Sequence, residues 1–142
     1  MTEAHSSTGN TTPRAESVGP LTRKVLEYEQ TMKRLVPDLK TPAEWAPLAE
    51  FVAVDEFERV GTFLEVQNWQ QYTEMITQWA LATESFETTV LRISEAGPLV
   101  HFEIEERHFR SDNVSVVNSM TVFEFNDDAK ICHLNVYLQQ AR

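Results

Sequence analysis

The sequence has little cysteine, little glycine and few basic residues, and each shortage removes a class of function. One residue of 142 is cysteine, Cys132. A lone thiol forms no internal disulfide and has no second sulfur at metal-ligand spacing, which excludes a disulfide scaffold and a thiolate zinc module and predicts a reducing, cytoplasmic setting. Lysine and arginine number 12 against 22 aspartate and glutamate, a formal net charge of -10. Such a surface repels nucleic-acid phosphates and anionic lipid and has no basic stripe to replace their counterions, so neither nucleic acid nor membrane is an expected partner. No apolar run approaches ~20 residues, and the polar N-terminus lacks the apolar h-region of a signal peptide. A glycine-rich phosphate loop, HExxH, paired CxxC and GxSxG are all missing, so nucleotide, metal and serine-hydrolase chemistry has no motif to rest on.

What is present predicts one domain with its helices first and its strands last. Residues 1–19, rich in serine, threonine and glycine, read as a flexible tail, and residues 20–142 as a single folded unit. Leu21, Val25, Tyr28, Met32 and Leu35 recur at helical spacing and predict an amphipathic helix stopped by Pro37. Thr41, Pro42 and Glu44 form a capping box opening a second helix through Trp45, Leu48 and Val52, kinked at Pro47. The run EFERVGTFLEV, Glu56 to Val66, is the first strand-like segment, rich in phenylalanine and valine, with Gly61 as a bulge or turn. Asn68 and Gln71 then cap a third helix whose stripe is Trp69, Tyr72, Ile76 and Trp79, aromatic residues suited to core packing or a pocket wall.

From Phe86 onward the chain reads as four consecutive antiparallel strands, separated by the turn sequences EAGP, RSDN and NDDA. Strands this long, joined this tightly, curl. The expected fold class is therefore α+β, a curved antiparallel sheet crossed by N-terminal helices that form a cone-shaped pocket.

One strand breaks its own pattern. Val100, Phe102 and Ile104 occupy alternate positions and define a buried row, yet the next two members of that row are Glu106 and His108. Side chains two apart on one face are separated by roughly 6.5–7 Å at Cα, close enough for both to touch one small molecule. Lined by Phe102, Ile104 and Phe123, a carboxyl here is suited to acid–base work, with the imidazole orienting or shuttling the proton.

The last strand pair resembles the closing hairpin of the nuclear transport factor 2-like superfamily, which includes ketosteroid isomerases, limonene epoxide hydrolases and SnoaL-like polyketide cyclases. The likeness rests on Val122, Phe123, Glu124, Phe125 and Asn126, the acidic turn Asp127 and Asp128, then Lys130 and Ile131, and Tyr137 near the end. Element order over residues 21–139 fits as well. The resemblance implies a single pocket for a small, largely apolar molecule and acid–base chemistry without a cofactor or metal, of isomerase, cyclase, dehydratase or epoxide-hydrolase type. It equally admits a non-catalytic module for a hydrophobic ligand, or a dimeric interaction domain.

Thr121 stands at the ketosteroid isomerases' oxyanion-binding aspartate, and Val136 at the final-strand aspartate of the epoxide hydrolases. The epoxide hydrolases' strand-borne arginine and aspartate align with Arg107 and Phe109 in one register, or with Ile104 and Glu106 in the register that keeps the apolar alternation. Glu58 and Arg59 lie near polar pocket positions of relatives, Arg59 as a holder of a substrate carboxylate or a counter-charge to Glu106. By the family's pattern Leu134 and Val136 face the pocket, while His133 and Tyr137 lie outside, where Ile131, Val116 and Tyr137 give an apolar surface for a homodimer. The expected catalytic residues are thus Glu106, His108 and Arg59, and the expected substrate contacts are Glu58, Trp69, Tyr72, Trp79, Phe102, Ile104, Thr121, Phe123, Leu134 and Val136.

Overall fold

The computed structural model describes residues 19–141, so the expected N-terminal tail lies outside the described residues apart from Gly19. Helix α1 (Pro20–Leu35) starts with proline at its first position, where no intrahelical N–H is missed. Its first turn is tied to the sheet: the backbone N–H and the hydroxyl of Thr22 both donate to Glu95 Oε1 at 2.8 Å. A carboxylate there satisfies an orphan helix donor and complements the positive end of the dipole. Val25 and Tyr28 of the predicted stripe are buried, and the helix yields to a 3-10 turn at Pro37 as expected.

The second predicted helix is not continuous through Val52. Thr41 and Glu44 do form the capping box, but it opens a 3-10 turn, Pro42–Trp45, followed by the single-turn helix α2 (Ala46–Ala49). Pro47 has no N–H to give the preceding turn, which breaks the helix there instead of bending it. Val52 instead forms an isolated parallel bridge to Ile131. Helix α3 (Trp69–Leu81) follows its sequence signal closely: Asn68 Oδ1 accepts from the Gln71 N–H, and Gln71 Oε1 accepts from the Asn68 N–H, both at 2.9 Å. The Trp45 indole donates to Thr77 Oγ1 at 3.0 Å and locks the 3-10 turn against α3.

The strands are β1 (Glu58–Val60), β2 (Val66–Gln67), β3 (Ser85–Ala96), β4 (Leu99–Arg110), β5 (Asn113–Phe125) and β6 (Ile131–Gln140). They form one sheet in the order β2-β1-β6-β5-β4-β3. The four long strands are the predicted antiparallel meander. Short β1 then adds to β6 in parallel, Arg59 opposite Leu134, and pairs antiparallel with β2. Gly97, Ser111 and Ala129 take positive φ at the three tight turns. Helix α1 packs on β3 and β4, and α3 on β1 and β2. The core beneath them includes Val25, Tyr28, Leu48, Phe57, Phe102, Phe123 and Leu134.

Two register shifts bend the meander, one at Val90/Arg92 and one at Glu124/Phe125. The second overturns an expectation about Ile131. Counting alternate residues back from Tyr137 puts Ile131 on the outer face, but the extra residue at the shift reverses parity, so Ile131 pairs with Phe125 and is 0% exposed. It adds nothing to the outer apolar surface. Replacing the cap of α3, Asn68→Ala, is expected to lower unfolding free energy by about 1 kcal/mol, measurable by urea denaturation.

Candidate functional site

The β3–β4–β5 ladder, in register from Ser85 to Val90 on β3 and along the whole β4–β5 pairing, decides which polar groups share the inner face. Thr88 stands opposite Glu106, Phe86 opposite His108, Ile104 opposite Ser119 and Phe102 opposite Thr121. Glu106 and His108 continue the row of Val100, Phe102 and Ile104, and their side chains are only 21% and 12% exposed.

They are also joined. Ser119 Oγ donates to Glu106 Oε2 at 2.6 Å, and His108 Nε2 lies 2.9 Å from Glu106 Oε1. Trp79 Nε1 approaches His108 Nδ1 at 3.0 Å. An indole N–H only donates, so Nδ1 is the accepting nitrogen, and the ring proton sits on Nε2, aimed at Glu106. Phe86 stacks on the imidazole with centroids 6.0 Å apart, and Trp79 meets it edge-on at 5.5 Å. Held this way, His108 orients a carboxylate that accepts two hydrogen bonds.

A second group of polar side chains lies toward the other edge of the sheet. Arg59 is 9% exposed; its guanidinium donates to Gln67 Oε1 at 2.9 Å, approaches Glu65 Oε2 at 3.5 Å and sits 5.5 Å from the Tyr72 ring centroid. Arg59 is therefore not the partner of Glu106, because β6 and β5 stand between their strands. Arg59 is also in register, through Leu134 and Phe123, with Val100, six residues before Glu106 on β4, so the two side chains are separated along the strands as well as across them.

Between the two groups stand Tyr28 and Tyr72. The Tyr28 hydroxyl is buried and meets no partner at full hydrogen-bond geometry among the described residues; the Tyr72 phenol is the polar group set toward it. Burial pushes its pKa well above the ordinary value, with Tyr72 adding to the rise and Arg59 opposing it. Burial likewise raises Tyr72, partly offset by the charge of Arg59, while the carboxylate of Glu106 adds to the rise. Both phenols thus remain proton donors at neutral pH, and Tyr28 has one to give.

The other expected contacts divide by burial. Phe102, Ile104, Phe123 and Leu134 are buried in the core, and Trp69 packs edge-on to Phe57 at 5.1 Å. Thr121 and Val136 face one another across β5 and β6, so neither aligned acid position carries a carboxyl. Glu58 is corrected: it lies on the outer face, half-exposed and 3.3 Å from His133 Nδ1, because on so short a strand the inward place goes to its neighbour Arg59. His133 also meets Asn135 there at 3.0 Å. No group of three or more His, Cys, Asp or Glu among the described residues is arranged to hold a metal ion, and no described helix is long and apolar enough to cross a membrane.

The comparisons follow this geometry. An NTF2-like protein from Anabaena variabilis superposes with TM-score 0.69 at 13% identity, covering 88% of this chain and 95% of that one. The chain has the nuclear transport factor 2-like fold. On the same NTF2-like fold, an LEH-like epoxide hydrolase of M. tuberculosis gives TM-score 0.62 at 13% identity over 84% of this chain and 86% of its own. The BvnE pinacolase of Penicillium brevicompactum gives 0.67 at 12% over 84% and 85%. No protein-family model matches the chain, and no curated protein does.

Three residues escaped sequence reasoning. Ser119 was findable as the polar member of the inner row two before Thr121, and Tyr28 was assigned only to the core stripe. Glu29 is buried on α1, and its spacing of four from Val25 and three to Met32 places it on the apolar face. Because an unpaired buried hydroxyl is costly, Tyr28→Phe is expected to raise stability by about 1 kcal/mol, read from urea denaturation, while weakening retention of any oxygen-bearing ligand.

Proposed function

We propose that this NTF2-like domain is a cofactor-independent acid–base enzyme, of isomerase, cyclase, dehydratase or epoxide-hydrolase type, acting on a small, largely apolar molecule. The observation that carries this reading is the Glu106 carboxylate on the inner sheet face, fixed by Ser119 and by a histidine whose tautomer Trp79 sets. Glu106 takes a proton from substrate carbon or from water. His108 and Ser119 are positioning residues that hold its lone pairs in place. Tyr28, with Tyr72 and Arg59 beside it, donates to the substrate oxygen on which charge develops, a contribution that a dry site strengthens. Trp69, Phe102, Ile104, Phe123 and Leu134 supply the apolar surroundings, and a cytoplasmic setting fits the free thiol of Cys132.

The test is a panel of enolisable ketones, β-hydroxy ketones and epoxides. Glu106→Gln is expected to lower kcat on any compound turned over by roughly 10²–10⁴-fold, with little change in KM. Undiminished turnover by that variant would remove Glu106 from the chemistry.

A second reading is a binding module for a hydrophobic ligand, favoured by Thr121 and Val136 standing where related enzymes carry acids. A compound that co-purifies and survives long incubation unaltered selects this reading. In either case the outer sheet face, with Val114, Val116 and Tyr137 exposed, is the proposed homodimer surface. A dimer is expected in sedimentation at micromolar concentration, and Val116→Asp is expected to shift it to monomer.

A further inference from the structure

Among the described residues only two charged side chains are buried, Glu29 at 6% and Arg59 at 9%. Arg59 belongs to the donor end of the site. Glu29 projects from α1 toward β3, where the Thr88 hydroxyl donates to its Oε2. Lys33 lies 3.7 Å away from the same oxygen and donates to Thr88 Oγ1 at 3.2 Å, and the Gln30 amide reaches Oε1 at 3.4 Å. Thr88 is the residue registered directly opposite Glu106. The hydrogen bond from Thr88 thus sets a helix-borne carboxyl beside the strand-borne one. The one opposite charge beside this buried carboxyl is the partly exposed Lys33 of its own helix, an ion pair of a kind that gives little net stability.

We infer that Glu29 is the second working carboxyl of this site, a proton donor to substrate oxygen that complements proton removal by Glu106. This rests on the acid–base reading above and narrows it to reactions that take a proton from carbon and give one to oxygen, as with enolisable ketones and β-hydroxy carbonyl compounds. In enolisation the C–H pair moves into the carbon–carbon bond, the carbonyl electrons move to oxygen, and Glu29 supplies the O–H. In elimination the C–O bond breaks and the oxygen departs as water carrying the Glu29 proton. Either way Glu106 ends protonated and Glu29 ionised, and exchange with solvent restores both.

The electrostatics support this division of roles. Burial raises Glu29 above the ordinary glutamate range, against the lowering effects of Thr88 and Lys33, and the charge of Glu106 adds to the rise. The titratable groups acting on it are thus Lys33 from its own helix and Glu106 from β4, while β3 meets it with the neutral Thr88.

The test is a carbon-detected NMR titration of the full chain, with the Glu29 carboxyl assigned through its backbone. In the wild type its midpoint is expected above the ordinary glutamate range, and Glu106→Gln is expected to lower it by removing a like charge. A midpoint in the ordinary range, or one indifferent to Glu106→Gln, overturns the inference. On a ketone turned over in the panel, Glu29→Gln is expected to lower kcat at least 10²-fold and to abolish the alkaline limb of the pH profile, its fold checked by circular dichroism. If Glu29→Gln keeps both rate and limb while Glu106→Gln is inactive, Glu29 is structural and the Glu106 reading survives. If Glu106→Gln is fully active, the parent reading fails on its own.

Discussion

Everything proposed for this molecule depends on the two-residue alternation of β4 surviving to its end. A β-bulge before Glu106 would have turned its carboxylate to solvent and brought Arg107 inward. The β4–β5 pairing runs unbroken from Leu99 to Arg110, so Glu106 remains on the face that began with Val100. Ser119, diagonal to it on β5 and opposite Ile104, can then reach it, and His108 follows on the same face. The covering α3 helix brings the Trp79 indole onto that imidazole.

The same register organises the charges. Glu106 and Glu29 gather at one side of the inner face and the Arg59 guanidinium at the other, with the tyrosines between them. In low-dielectric surroundings such a separation is costly for the empty site and useful for a polarised guest, since each group acts over a longer distance than in water. The unpartnered Tyr28 hydroxyl and the buried Glu29 are where that cost is concentrated. Features that lower stability without a packing reason are where function is sought first.

The inward course of Glu106 and His108 was legible in the sequence because strand periodicity over nine residues fixes a face with little ambiguity. Glu58 was misassigned because a three-residue strand carries no period to read. Ile131 was misassigned because the shift at Glu124/Phe125 lies where a parity count cannot see it. Glu29 was hidden in plain view: its helical phase matches Val25, but a charged residue between apolar ones is ordinarily read as the edge of the stripe.

The amino-acid order by itself determined the helices with their caps, the four long strands with their turns, and the mixed polar and apolar character of the β4 row. These are local properties, set by backbone sterics, hydrogen-bond capping and side-chain period. Only the tertiary structure decided that Ser119, Trp79, Thr88, Glu29 and Tyr28 would meet around that row, and that Arg59 would be held two strands away from Glu106's neighbours. Those outcomes depend on strand order, on the parallel docking of β1 onto β6, and on the angle at which α1 and α3 cross the sheet, and no residue's nearest neighbours in the chain encode any of the three.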